Sequence, residues 1–357
     1  MNKLLTLAIA LCASIAFGKY VYTNPTPSDI QYANDIIEKI EDETRIYDAT
    51  NIPTVTVTVK KTNKFLVPLW MDGGDLVFKE VEKPHNSRFS IQAENDFWFH
   101  KDCDYTHGTR LAYEYGPWTY AIQQNMYTPN NKKADYPLPD QHPYAGYLVG
   151  EVGYTFQRKS SSDYLGLQLG LIGPHTYAEQ TQKLIHKWIG DVEPMGWDYQ
   201  LKDEFVFQVN YLHREAFLLF GEEHGWNTTL IAKGGGSAGL AQDYGMLGAE
   251  LRFGYNPYRG NDDDIFFVAA VREKPWSLYG IVSGEFRAYA WNAFLDGNYH
   301  RKSMSVDSKW DVWEGRFGFG FDIFDFDGRI VWVYRSKEYD TQLKNTQFMS
   351  VELGWTF

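Results

Sequence analysis

A strand and the turn after it carry most of the reactive groups in this chain. In "QAENDFWFHKDCDYTHGTR", residues 92 to 110, Phe89, Ile91 and Ala93 point one way and Ser90, Gln92 and Glu94 the other, as in a strand. Asn95 and Asp96 then arrive side by side, followed by Asp102, Asp104, Thr106 and His107. Asn95, Asp96 and Thr106 are hard oxygen ligands of the kind that suit Ca²⁺ rather than zinc or copper. Further on, Gln182 and His186 are four residues apart, so a helix puts them on one face. A bound cation polarises an ester carbonyl, a histidine near neutrality serves as general base for water, and Gln182 can orient the water or the substrate. Lys132 or Lys133 can donate to a developing oxyanion. The chemistry these groups suit is hydrolysis.

The elements that position these groups are strands. "GYLVGEVGYTF", "YLGLQLGLIG", "WEGRFGFGFDIF" and "FMSVELGWTF" alternate apolar and polar residues and are rich in aromatics and glycine. No stretch after the leader approaches 18 uninterrupted apolar residues, so no membrane helix is expected. The opening "MNKLLTLAIALCASIAFGKY" has a lysine, an apolar stretch and a small-x-small pattern at Ala16–Gly18, the form of a secretory leader over residues 1–18. Removing it leaves Cys103 as the sole cysteine of the 2 in the chain, so neither an intrachain disulfide nor a cysteine zinc site is expected. An exported, aromatic-rich chain with alternating strands fits a transmembrane β-barrel. Met349, Val351, Leu353, Trp355 and Phe357 share one face of the last strand, which ends on Phe357 as outer-membrane proteins do when the assembly machinery reads them. The formal charge of -12 argues against a nucleic-acid partner.

The fold class expected is all-β: a 12-stranded antiparallel transmembrane barrel over residues 87–357, with a small N-terminal extension containing a helix. The strands are placed at 87–97, 105–116, 118–128, 144–157, 163–173, 197–214, 226–235, 243–256, 277–292, 309–322, 329–337 and 346–357. "DFDG" at 325–328 reads as a tight hairpin turn. The extension, residues 19–86, reads as periplasmic or plug-like. It has a helix pattern in Ile30, Ala33, Ile36, Ile37 and Ile40 and a β-prone "TVTVTVK". Between strands five and six, "TYAEQTQKLIHKWIG" reads as a helix over 176 to 190, with Leu184, Ile185 and Trp188 on an apolar side and Gly190 as its stop. If the first strand runs outward, the turn after Asn95, the loop with Lys132 and Lys133, and the helix with Gln182 and His186 all fall at the outer end. The outer leaflet there is lipid A, and the ester nearest the site is one of its acyl esters.

The chain resembles the outer-membrane lipid A 3′-O-deacylases of the LpxR type. The resemblance covers about residues 88 to 357, in the blocks "AENDFW", "DYTHGTR", "QNMYTP", "HPYAGYL" and "IGPHTYAEQTQKLIHKWIG". It implies a twelve-stranded, monomeric barrel that removes the 3′-linked acyloxyacyl group of lipopolysaccharide lipid A with Ca²⁺. It places the family's Asn-Asp pair on Asn95 and Asp96, its Asp-Tyr-Thr on Asp104, Tyr105 and Thr106, and its Gln and base His on Gln182 and His186. The family's loop lysine falls on Ala134, just after Lys132 and Lys133, and Lys133 is taken as the donor. An acid beyond the histidine falls on Val192, between Asp191 and Glu193. The other class of function is a non-catalytic barrel, a channel or an adhesin. Gly235-Gly236-Ser237-Ala238-Gly239 matches a nucleophile-elbow pattern but lies in a strand end with no helix after it, and Asp102, Cys103 and His107 read as loop residues.

Overall fold

The computed structural model describes residues 65–72, 75–81, 87–96, 103–158, 160–222, 225–257 and 276–357. The leader, the helix pattern near Ile30 to Ile40, the run 54–60, Asp102 and the acidic tract 262–264 lie outside the described residues. Ahead of the barrel, β1 (Phe65–Asp72) and β2 (Asp75–Val81) form a two-stranded antiparallel sheet.

Twelve strands then close into an antiparallel barrel. They are β3 (Ser87–Asn95), β4 (Asp104–Tyr115), β5 (Trp118–Thr128), β6 (Ala145–Gln157), β7 (Ser161–Ile172) and β8 (Glu204–Gly221). β9 (Trp226–Gly239), β10 (Gln242–Tyr255), β11 (Trp276–Asn292), β12 (Asp311–Ile323), β13 (Phe326–Arg335) and β14 (Thr346–Thr356) complete it. β14 pairs with β3, and Phe357 and Ser87 exchange backbone hydrogen bonds at 2.8 and 2.9 Å, so the terminal aromatic sits at the seam. Two boundaries differ from the sequence reading. The sixth strand starts at Glu204, not 197, because Gly196–Tyr199 forms a 3-10 turn that buries Trp197, and it runs on to Gly221. The hairpin before β13 turns on Phe324 and Asp325, since Ile323 pairs with Phe326 and Asp327 and Gly328 are already in the ladder.

The lumen is filled. Arg88, 1% exposed, donates through Nε and Nη2 to Asp327 at 2.9 and 2.6 Å and through Nη2 to Glu352 at 2.8 Å. Glu314 accepts from Arg316 and Arg335, and Glu250 accepts from Arg252. Towards the outer end, Tyr127 stacks between His142 and Phe294, with Tyr105, Tyr147 and Phe348 packed about them. Tyr127 and Phe294 also line a cavity of about 370 Å³, together with Tyr147, Arg110 and Glu151. Ser237 lies there inside β9, held by Gln208 and Asn210, and among the described residues it has no histidine or helix behind it of the kind a nucleophile needs. This packing is not that of an open aqueous channel.

Buried charge pairs are costly to break, because the partner left behind stays desolvated. Arg88→Met should therefore destabilise the barrel by about 3–5 kcal/mol. Urea unfolding in lipid vesicles checks this, and an unchanged midpoint would contradict it.

Candidate active site on the outer wall

Side-chain alternation decides which side of the wall each site residue occupies. Gln123, Asn125 and Tyr127 of β5 line the lumen, so Gln124, Met126 and Thr128 face outward. On β6, Tyr147 and Glu151 line the lumen, so Gly146, Leu148 and the exposed Val152 face outward. On β3, Phe89 and Ile91 are exposed on the outside, which puts Asn95 there too. On β4, Leu111 and Tyr113 are exposed on the outside, and His107 shares their parity. A bulge between Tyr105 and His107 adds a residue to β4, so Thr106 joins His107 on the outer side while Tyr105 turns into the lumen, where its hydroxyl donates to Glu94 at 2.5 Å.

One outward row runs Asn95–His107–Met126–Gly146 across four paired strands. Over it lies α1 (Ala178–Ile189), entered through a 3-10 turn at Pro174–Thr176 and stopped by Gly190, whose N–H donates to His186 O. Gly146 allows this: a Cβ there would lie 2.0 Å from Thr176 Oγ1 and 2.7 Å from the Ala178 Cβ. Gln124 Nε2 donates to Thr176 O at 2.6 Å and fastens the helix entry to the wall. Met126 faces outward yet is 0% exposed, because Ala178, Tyr144 and Trp197 cover it.

The helix turns its polar stripe to the wall. Ala178, Gln182 and His186 are buried, while Leu184 and Trp188 of its apolar side are exposed. Asn95, Asp96, Thr106, His107, Met126, Gln182, Ile185, His186, Ile189 and Asp191 line a cleft of about 40 Å³, room for an ion or a few waters. His186 Nδ1 is 2.5 Å from Val192 O. A carbonyl only accepts, so Nδ1 carries the proton and Nε2 is the basic nitrogen. Asp191 Oδ2 lies 3.8 Å from the same Nδ1 and accepts from Lys132 Nζ at 2.7 Å. Burial would push the Asp191 carboxyl up, but hydrogen bonds from Lys132 and the Val192 N–H, with the charges of Lys132 and His186, hold it below the usual range. Gln182 Oε1 accepts from Trp197 Nε1 at 2.8 Å, so its NH₂ is the group it can offer elsewhere.

Oxygen donors dominate the facing wall. Asp96 is buried, and its Oδ2 accepts from the Cys103 N–H at 2.8 Å. The Asn95 NH₂ meets His107 Nδ1 at 3.3 Å, which turns its Oδ1 the other way. Thr106 Oγ1 is 2.6 Å from Thr128 Oγ1. A carboxylate, an amide oxygen and a hydroxyl are a donor set that fits Ca²⁺, with waters or carbonyls completing its coordination.

The five residues Asn95, Asp96, Thr106, Gln182 and His186 thus lie in one cleft. Lys133 does not: it is exposed and makes no ion pair among the described residues, whereas Lys132 reaches the site through Asp191. The main chain turns back at Met195, whose N–H donates to Lys132 O, and this brings Lys132 rather than its neighbour inward. Asp104 is also elsewhere; it accepts from Tyr339 and Gln342 in a cluster that ties the outer loops together. His107 is a strand residue in the cleft, not a loop residue, and only the bulge, which has no signature in the sequence, puts it beside Thr106. His142 is buried, stacked on Tyr127 and bonded to Pro143 O, and serves packing.

The family model for outer membrane protein LpxR matches residues 75–357. The chain belongs to the LpxR family. Its fold is similar to that of LpxR from Salmonella typhimurium, at TM-score 0.66 and 18% identity over 76% of this chain and 100% of that one. The NanC porin is a more distant barrel, at TM-score 0.35 and 7% identity over 75% of this chain and 100% of that one. No curated protein sequence matches the chain. As an LpxR-family barrel it resides in the bacterial outer membrane.

Gly146→Val should leave the barrel closed and lift α1 from the wall. Trp197 emission, isolated by comparison with Trp197→Phe, should shift to the red while heat-modifiable gel mobility is kept. An unshifted Trp197 would contradict the close approach.

Proposed function

We propose that the chain is a Ca²⁺-dependent esterase that removes the 3′-O-linked acyloxyacyl group of lipid A. The observation that carries this reading is the position of His186: its Nδ1–H donates to Val192 O, which makes Nε2 the basic nitrogen, and the side chain faces oxygen ligands in a cleft on the lipid side of the wall. A membrane lipid reaches that cleft laterally without entering the lumen. Family membership supports the substrate class.

Asn95, Asp96 and Thr106 would hold the cation, which when bound polarises the ester carbonyl. His186 Nε2 takes a proton from a water, and the water oxygen attacks the acyl carbon. The imidazolium that forms is steadied by Val192 O and by Asp191, which Lys132 holds in place. The bond from the acyl carbon to the sugar 3′ oxygen then breaks, and His186 returns its proton to that oxygen, leaving a fatty acid and a free 3′ hydroxyl. The Gln182 NH₂ orients the water or the carbonyl. The reading includes export by the leader at 1–18, insertion through the strand ending at Phe357, and a monomeric enzyme.

Mass spectrometry of purified lipid A incubated with the protein tests this. The wild type should release the 3′ acyl group with Ca²⁺ and not with a chelator, and His186→Ala should be slower by about 100-fold or more. Intact 3′ chains in the Ca²⁺ reaction would rule the activity out, and an active His186→Ala would rule out the mechanism.

Lys132→Met should cut turnover and Lys133→Met should leave it near wild type. Equal effects would contradict the assignment of Lys132 to the site.

A further inference from the structure

α1 has three faces, not two. At 3.6 residues per turn, Ala178, Gln182 and His186 form the stripe against the wall. Glu179, Lys183 and Lys187 fall to one side of it, and Lys183 Nζ pairs with Glu179 at 2.9 Å and with Glu193 at 3.4 Å. Leu184, Trp188 and Tyr177 fall to the other side and are exposed, Trp188 by 76%. A helix lying on a soluble surface would bury the apolar flank and present the rest to water. Here the apolar flank has no protein cover among the described residues although the helix is docked.

The location supplies the cover. α1 lies on the outer face of the barrel, and the strands beneath it carry the exposed row Ile91–Leu111–Ile122 and the row Phe89–Tyr113–Tyr120 on that same face. Those rows form the apolar band that meets lipid in an outer-membrane protein. A helix with one charged flank, one apolar flank and a tryptophan, held against that band, has the form of an interfacial helix. We propose that the apolar flank of α1, Tyr177, Leu184 and Trp188, is immersed in the acyl layer of the outer leaflet, continuing the barrel's lipid-facing band up to the cleft. The charged flank faces the headgroups. This inference rests on the outer-membrane location and not on the hydrolytic reading.

The test uses the full chain in phosphatidylcholine vesicles, with bromines on the acyl chains or without. The Trp188 signal is the difference between the wild type and Trp188→Phe. Brominated lipid should remove most of that difference, and acrylamide in the water should remove little of it. Leu184→Glu should weaken the bromine quenching by drawing the flank outward. Quenching by acrylamide instead would place Trp188 in water and overturn the proposal. Quenching by neither would mean that protein covers the flank, such as a second copy, and would overturn it equally. No step of the measurement needs hydrolysis, so an inactive protein still answers it.

Discussion

The close approach of α1 to the outside of the barrel is the contact on which the candidate site depends. Gly146 makes it possible, because any side chain there would occupy the space of Thr176 and Ala178. With the helix down, Met126 is sealed and the Gln182–His186 stripe meets Asn95, Asp96 and Thr106. Raised by the width of a methyl group, the base would stand away from the oxygen ligands. Catalytic groups held on two separate elements lose effectiveness steeply with such a displacement.

That approach places the candidate site outside the barrel and not inside it. The lumen holds buried ion pairs such as Arg88–Asp327 and Glu314–Arg335 and an outer aromatic layer around Tyr127 and Phe294. These interactions brace the strands from within the barrel. A wall braced in this way can hold Asn95 and Thr106 in register through paired strands, while a single helix carries His186. The resulting cleft takes an ion or a few waters, so the acyl chains of any substrate must remain outside it, in the membrane.

Much of this was legible in the sequence, because strand alternation has a period of two and survives weak hydrophobicity. All twelve barrel strands were placed, and the helix near His186 was bounded by Gly190. Asn95, Asp96, Thr106, Gln182 and His186 stood out by residue type and spacing. What was not legible depends on three-dimensional detail. The bulge after Tyr105 puts Thr106 on the same side as His107 and turns Tyr105 inward, and it leaves no pattern of its own. Lys132 and Lys133 are chemically equivalent as letters, and only the return of the chain at Met195 separates them. "DFDG" has the composition of a turn, but the register puts the reversal at Phe324. The sequence showed an apolar side on the helix, but not that this side would be left outward.

The central claim is that the substrate arrives along the outer wall. Ala93 faces lipid two residues below Asn95, while Ser237 lines the lumen. The direct measurement is the rate of lipid A deacylation by Ala93→Trp and by Ser237→Trp beside the wild type. Arrival from the lipid side predicts that Ala93→Trp obstructs turnover and Ser237→Trp leaves it intact. Loss of activity in Ser237→Trp with Ala93→Trp unaffected would contradict the account and move the site's entrance to the lumen.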